Sequence, residues 1–261
     1  MNTQSTMRIV LICLLISVTL SLESNAQNPT ENQSLIKHFN GTITATNNGV
    51  SIIPSFTLGR PAVFFDLNIG GERLTFEPMF RFGMDGKPWS FVLWWRYKII
   101  KDKRFSLTAG AHPAFLFKEM EVLVDGKPEK MMVSKRYLAM ELSPSFQLTP
   151  KSSLGIYFLK GHGFDPDPPV NSTFVGFNWT LKNVPIGENL SFKMTPQFYY
   201  LKVDENDGVY VTSTFTFTHQ KLPFGIASTL NQKLNSTIAG DDFVWNIALL
   251  YNFANQFTKK R

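Results

Sequence analysis

The sequence is nearly without cysteine: Cys13 is the only one in 261 residues. No disulfide framework is available, so hydrogen bonds and packing must hold the fold. Long apolar runs are also scarce. The single one, "IVLICLLISVTLSL" at 9–22, follows Arg8 and runs into the small residues Ser24 and Ala26. That order of charge, apolar core and small-residue site reads as an export signal cleaved after Ala26. Ile12 before Cys13 is not the small residue that bacterial lipidation requires. No other run reaches the roughly 18 apolar residues of a membrane helix. Helix-period segments of useful length are missing as well, which excludes a βαβ architecture.

Basic residues are in excess without being clustered. The formal net charge is +6, and losing Arg8 with Glu23 leaves it unchanged. No basic helix, patch or nucleic-acid motif accompanies it, so nucleic acid is not an expected partner. No cofactor motif and no metal-ligand spacing is present; "DENDG" (204–208) puts Gly one place early for a calcium loop and reads as a polar hairpin turn.

What the chain has instead is phenylalanine, 24 of them, set in strict alternation. In "VTSTFTFTHQ" (211–220), Phe alternates with Thr, the period of a two-faced β-strand. The pattern recurs in segments at 50–58, 62–69, 73–83, 88–98, 104–117, 135–148, 153–161, 171–182, 189–202, 208–219, 223–233 and 242–253. One face is large and apolar throughout: Trp89, Phe91, Leu93, Trp95 and Tyr97 in the fourth segment, Phe243, Trp245, Ile247, Leu249 and Tyr251 in the last. The other is small and polar, as in Thr212, Thr214, Thr216 and Thr218.

Twelve strands of Phe, Trp and Leu converging inward would overfill a single barrel. A soluble surface would carry Lys and Glu where these faces carry Thr, Ser and Gly. The arrangement that fits is inverted, with the apolar face toward lipid and the polar face toward a lumen. Trp and Tyr near strand ends (Trp89, Tyr97, Trp179, Tyr200, Tyr251) match an interfacial girdle. The expected fold is all-β: a transmembrane antiparallel up-and-down β-barrel of about twelve strands. Only helices and closed barrels satisfy their backbone inside a bilayer.

The expected organisation is a signal peptide at 1–26, a polar lead-in at 27–49 with a possible short strand at 41–46, the barrel at 50–253 and a basic tail at 254–261. The connections 118–134 and 162–170 read as the long outer loops, the former able to fold inward. The turns "GGER", "IKDKR", "TPKSS", "NVPIGEN" and "KLPF" read as short periplasmic ones.

With its signal, its alternating segments and the final strand "FVWNIALLYNF", the chain resembles the bacterial outer-membrane β-barrel class over residues 50–253. The resemblance implies a cell outer membrane location after signal cleavage. It implies outer-membrane lipid, lipopolysaccharide and the barrel-insertion machinery as partners, with Phe253 or Phe257 as the aromatic insertion signal. No subfamily motif is present.

Parity points a set of charged side chains inward on the second to sixth strands: Asp66, Arg73, Glu77, Arg81, Arg96, Lys98, His112 and Glu141. Asp66, Glu77, Arg81, Arg96, His112 and Glu141 form the candidate lumen network. Gly155, Gly176, Asn178, Thr180, Thr195, Gly225, Ala227, Thr229 and Asn246 form a small, neutral opposite wall. Buried charges must be paired or wetted, so the network is either a plug or the selective wall of a water-filled path. The expected function is a passive channel or transporter for small solutes. The alternative is a closed structural or surface-interaction barrel. A lipid-modifying enzyme would need a Ser–His pair on the lipid face at the outer rim, and the single candidate is His162 with Ser172.

Overall fold

The computed structural model describes residues 36–124, 127–165 and 169–256. The signal sequence, Gly126, Asp167, Phe257 and the basic tail therefore lie outside the described residues. Twelve strands form one closed antiparallel barrel in simple meander order: β1 (His38–Thr46), β2 (Ala62–Gly70), β3 (Leu74–Gly83), β4 (Pro88–Lys101), β5 (Phe105–Val124), β6 (Lys127–Thr149), β7 (Ser152–Gly163), β8 (Asn171–Ile186), β9 (Leu190–Val203), β10 (Asn206–His219), β11 (Phe224–Ser236) and β12 (Phe243–Gln256). Closure comes from β1 pairing with β12 along its whole length, from His38↔Gln256 to Thr46↔Ala248. No edge is left to template aggregation.

The alternation holds with large apolar groups outside. Phe243, Trp245, Ile247, Leu249 and Tyr251 on β12, and Leu138, Met140, Leu142 and Phe146 on β6, are all exposed. Their neighbours Asn246, Ala248, Ala139 and Glu141 are buried. An apolar exterior continuous around a barrel is the lipid-facing band of a transmembrane barrel.

The barrel starts earlier than the hydrophobic pattern suggests. The segment 50–58 is no strand; it is a loop containing the 3-10 turn Pro54–Phe56. The first strand is His38–Thr46, within the stretch read as a lead-in. Pro54 has no N–H for a ladder, whereas "HFNGTITAT" can pair on both sides. Its outward residues, Phe39, Ile43 and Ala45 beside Gly41, are too few and small to carry a strong hydrophobic signal. Gly41 itself faces Phe253, and a Cβ there would approach that ring to 2.8 Å.

Residues 118–134 are not an infolded loop. β5 and β6 run 20 and 23 residues and pair continuously from Phe105↔Phe146 to Val124↔Lys127. Met120↔Met131 and Val122↔Glu129 keep the period-2 order far past the other strands, and Glu119 at its base bonds Lys87 Nζ at 2.6 Å. The turns after β2, β4, β6, β8 and β10 are short, as expected, and at the first of them Glu72 bonds Lys37 (3.0 Å) and Lys101 (3.2 Å), tying the start of β1 to the end of β4. Those two hydrogen bonds hold the Glu72 carboxyl below its ordinary range.

Candidate functional site: the barrel lumen

Side chains from β4 and β6 meet across β5 because β5 has nothing between them. Gly110 pairs with Arg96 on one side and Glu141 on the other. A Cβ on Gly110 would lie 2.9 Å from Glu141 Oε1 and 3.1 Å from Arg96 Cγ. Through that gap Arg96 Nε donates to Glu141 Oε1 at 2.5 Å and Nη2 to Oε2 at 3.1 Å. Its Nη1 donates to Glu77 Oε2 on β3. The remaining lone pairs are served too: Thr75 Oγ1 donates to Glu77 (2.7 Å) and Tyr157 OH to Glu141 (2.5 Å). The Trp94 ring lies 4.1 Å from the guanidinium carbon, and His112 packs edge-on against that ring at 4.0 Å. The result is a satisfied ionic clamp spanning β3 to β7, carrying two carboxylates and one guanidinium.

The second pair is different. Asp66 on β2 and Arg81 on β3 point into the same lumen and attract each other electrostatically, but among the described residues neither makes a side-chain hydrogen bond. Asp66 Oδ1 and Arg81 Nε are buried without a partner. Arg81 is held by rings instead: Phe64 at 5.2 Å and Trp89 at 5.6 Å from its guanidinium carbon. Such cation–π contacts position the cation and leave its N–H edges free.

Two cavities flank these groups. One of about 520 Å³ is lined by Asp66, Glu77, Arg81, Arg96 and His112 among mostly apolar residues. The other, about 410 Å³, is lined by Asn40, Thr42, Asp66, Asn68, Glu77 and Asn252. Asp66, Leu67 and Glu77 belong to both walls.

No family model matches this sequence, and no curated protein matches it. Solved structures do. A KdgM porin in complex with disordered oligogalacturonate is similar over 83% of this chain and 99% of its own, at 6% identity and a TM-score of 0.51. The KdgM porin alone gives 82% and 99%, at 8% identity and a TM-score of 0.50. An outer-membrane channel from Pseudomonas putida F1 gives 87% and 99%, at 10% identity and a TM-score of 0.50. The chain is an outer-membrane-type β-barrel. At such identities the likeness is one of fold, and what the lumen does must be read from its own residues.

The six candidate residues of this outer-membrane-type barrel all face the lumen, in two groups: Arg96, Glu77 and Glu141 with His112 beside them, and Asp66 with Arg81. Parity alone missed Tyr157, which completes the clamp, although its odd position on β7 with Gly155 and Gly161 would have placed it inward. Trp89 is a correction. Expected on the lipid face, it is only 3% exposed and donates from Nε1 to Phe56 O at 2.8 Å. The β3–β4 pairing shifts register between Arg81↔Ser90 and Phe82↔Pro88. That bulge adds one residue to β4 and turns Trp89 inward. Arg73 belongs to the rim, where Nη1 donates to the carbonyls of Lys98 and Ile99 at 3.1 Å each.

The neutral wall is small only over part of its height. Toward the other end, Phe174, Tyr199, Leu201, Val203 and Tyr210 form a packed cluster with Ile238, joined by Ile53, Tyr157 and Leu159. Ile53 and Ile238 come from the loops 47–61 and 237–242, so those loops, and not 118–134, enter the barrel mouth. His162 and Ser172 do not pair. Ser172 lines the lumen cavity with Gly161, while His162, one residue on, is exposed and bonds Asn171 at 3.0 Å.

Proposed function

We propose that this barrel sits in the outer membrane after export and signal cleavage, inserted by the barrel-assembly machinery among lipid and lipopolysaccharide, and passes small solutes through its lumen. One observation carries the reading: two lumen cavities share Asp66, Leu67 and Glu77, so they adjoin, with two carboxylates and one leucine at their junction. A barrel filled for stability alone would have the space packed. At the clamp, two carboxylates against one guanidinium leave one net negative charge, which favours cations.

Single-channel recording of the refolded protein in a planar bilayer tests this. Discrete conductance steps with a reversal potential favouring cations are expected. A second reading, a closed barrel with a structural or surface role, has its own support in the loops seated on the Phe174–Tyr210 cluster. A protein that inserts and stays electrically silent, even when residues 51–57 are replaced by Gly and Ser, would favour it and overturn the channel.

A further inference from the structure

The lumen holds two kinds of charge. The Arg96 clamp is saturated by its own protein partners, and a solute can win nothing from it without breaking bonds already made. Asp66 and Arg81 are not. Opposite in sign, they line one cavity and attract each other electrostatically, but among the described residues neither is given a side-chain hydrogen bond. Charged groups left unmet inside a barrel cost free energy unless water or a ligand meets them. The rest of the wall says what else the ligand must be. Met79, Val92, Trp94, Ala114, Leu116 and Ala139 make a mainly apolar surface. A volume of about 520 Å³ lies in the range of small-molecule sites, which combine apolar walls with a few orienting polar groups.

We infer that this chamber is a recognition site for small zwitterionic solutes with an apolar or aromatic body, the solute's carboxylate meeting the Arg81 terminal nitrogens and its ammonium meeting Asp66. The inference rests on the reading that the lumen admits small solutes. Phe64 and Trp89 lie together against one side of the Arg81 guanidinium, their own centroids 5.6 Å apart, and its planar fork of donors, given no hydrogen-bond acceptor among the described residues, suits a carboxylate. A solute bearing one charge leaves the other protein group without a hydrogen-bonded partner, and so binds less well than a dipolar one. The site therefore selects by the pair of charges, not by net charge.

The test uses the full-length mature barrel in detergent and, in parallel, in a planar bilayer. Trp89 and Trp94 line the chamber and report occupancy through their fluorescence. The probes are L-phenylalanine, 3-phenylpropionate, which lacks the ammonium, and 2-phenylethylamine, which lacks the carboxylate. L-Phenylalanine should bind saturably, and each single-charge analogue should bind about tenfold or more weakly. Arg81→Met should abolish the preference over phenylethylamine, and Asp66→Asn the preference over phenylpropionate. Equal affinity for all three probes on the unaltered protein, or no saturable binding, would overturn the inference whether or not the variants fold. The bilayer arm separates the two ideas. A conducting protein that L-phenylalanine neither binds nor blocks keeps the channel and loses the site. Binding to a protein that never conducts keeps the site and loses the channel.

Discussion

Single residues decide how the lumen is charged. Arg96 neutralises one of two carboxylates that are held within hydrogen-bonding distance of it, and among the described residues both are otherwise bonded only to hydroxyls. Removing one partner of such a network costs about 3 kcal/mol when it is dry and far less when water replaces the partner. Arg96→Ala should therefore lower the unfolding temperature in detergent, and in a conducting barrel it should raise cation preference, read as a shift in reversal potential. If neither quantity moves, the clamp is irrelevant to stability and to permeation. Gly110 is the other fixed point. Gly110→Val places carbon where the Arg96 stem and Glu141 carboxylate already lie, and should reproduce the Arg96→Ala destabilisation without removing a charge; unchanged stability would contradict the β4–β5–β6 geometry. At the rim, Glu72 gains its stabilising bonds only as a carboxylate. Its folded-state value is lowered, so its contribution is complete near neutral pH and is lost as the pH falls through the carboxylate range. Wild type should unfold at a higher temperature than Glu72→Gln at pH 7, and the two should converge as the pH falls below the ordinary glutamate range and through the lowered folded-state value. A difference that persists in acid would mean Glu72 acts by something other than its charge. The inward direction of all six candidate residues was legible from parity, because parity is a local property of a strand. The partition into a saturated clamp and an unmet pair was not, since it depends on register across β3 to β7 and on Gly110 standing in the gap.

At the scale of elements, sequence reading succeeds where hydrophobic contrast is strong and fails where it is weak. β2 to β4 and β7 to β12 stand near the segments their alternation marks. β1 was hidden because its outward face is modest, and its position follows from closure: a twelfth strand with an unpaired edge needs a partner, and His38–Thr46 supplies it. The β5–β6 extension was read as loop because its residues are charged, yet "KEMEV" and "EKMMVSK" keep the period of two, and an Asp-Gly pair between them is a hairpin turn signal. Trp89 was misplaced because a bulge shifts parity by one residue without leaving a mark in composition. The extension is assigned to the outer side because the turns at the opposite end are the short ones. An epitope inserted between Val124 and Lys127 should be detected on intact cells. Detection only after the outer membrane is opened would reverse the orientation.

For the whole molecule, the account stands on one inversion, in which large apolar side chains face out and small polar ones face in. That inversion was the most legible feature of the sequence, because eleven of the marked segments repeat it as strands and a soluble barrel could not enclose so many aromatic rings. β10 offers the clearest place to measure it. Phe217 is 41% exposed on the outer surface, while Thr214 bonds Thr229 at 3.0 Å on the inner one. The mature chain is expected to contain no cysteine, so single cysteines at 214, 215, 216 and 217 can each carry a fluorescent label in lipid vesicles. A quencher confined to the lipid phase should reach the labels at 215 and 217 and spare those at 214 and 216. Equal quenching at all four positions, or the opposite alternation, would contradict the inverted barrel and with it every statement about the lumen.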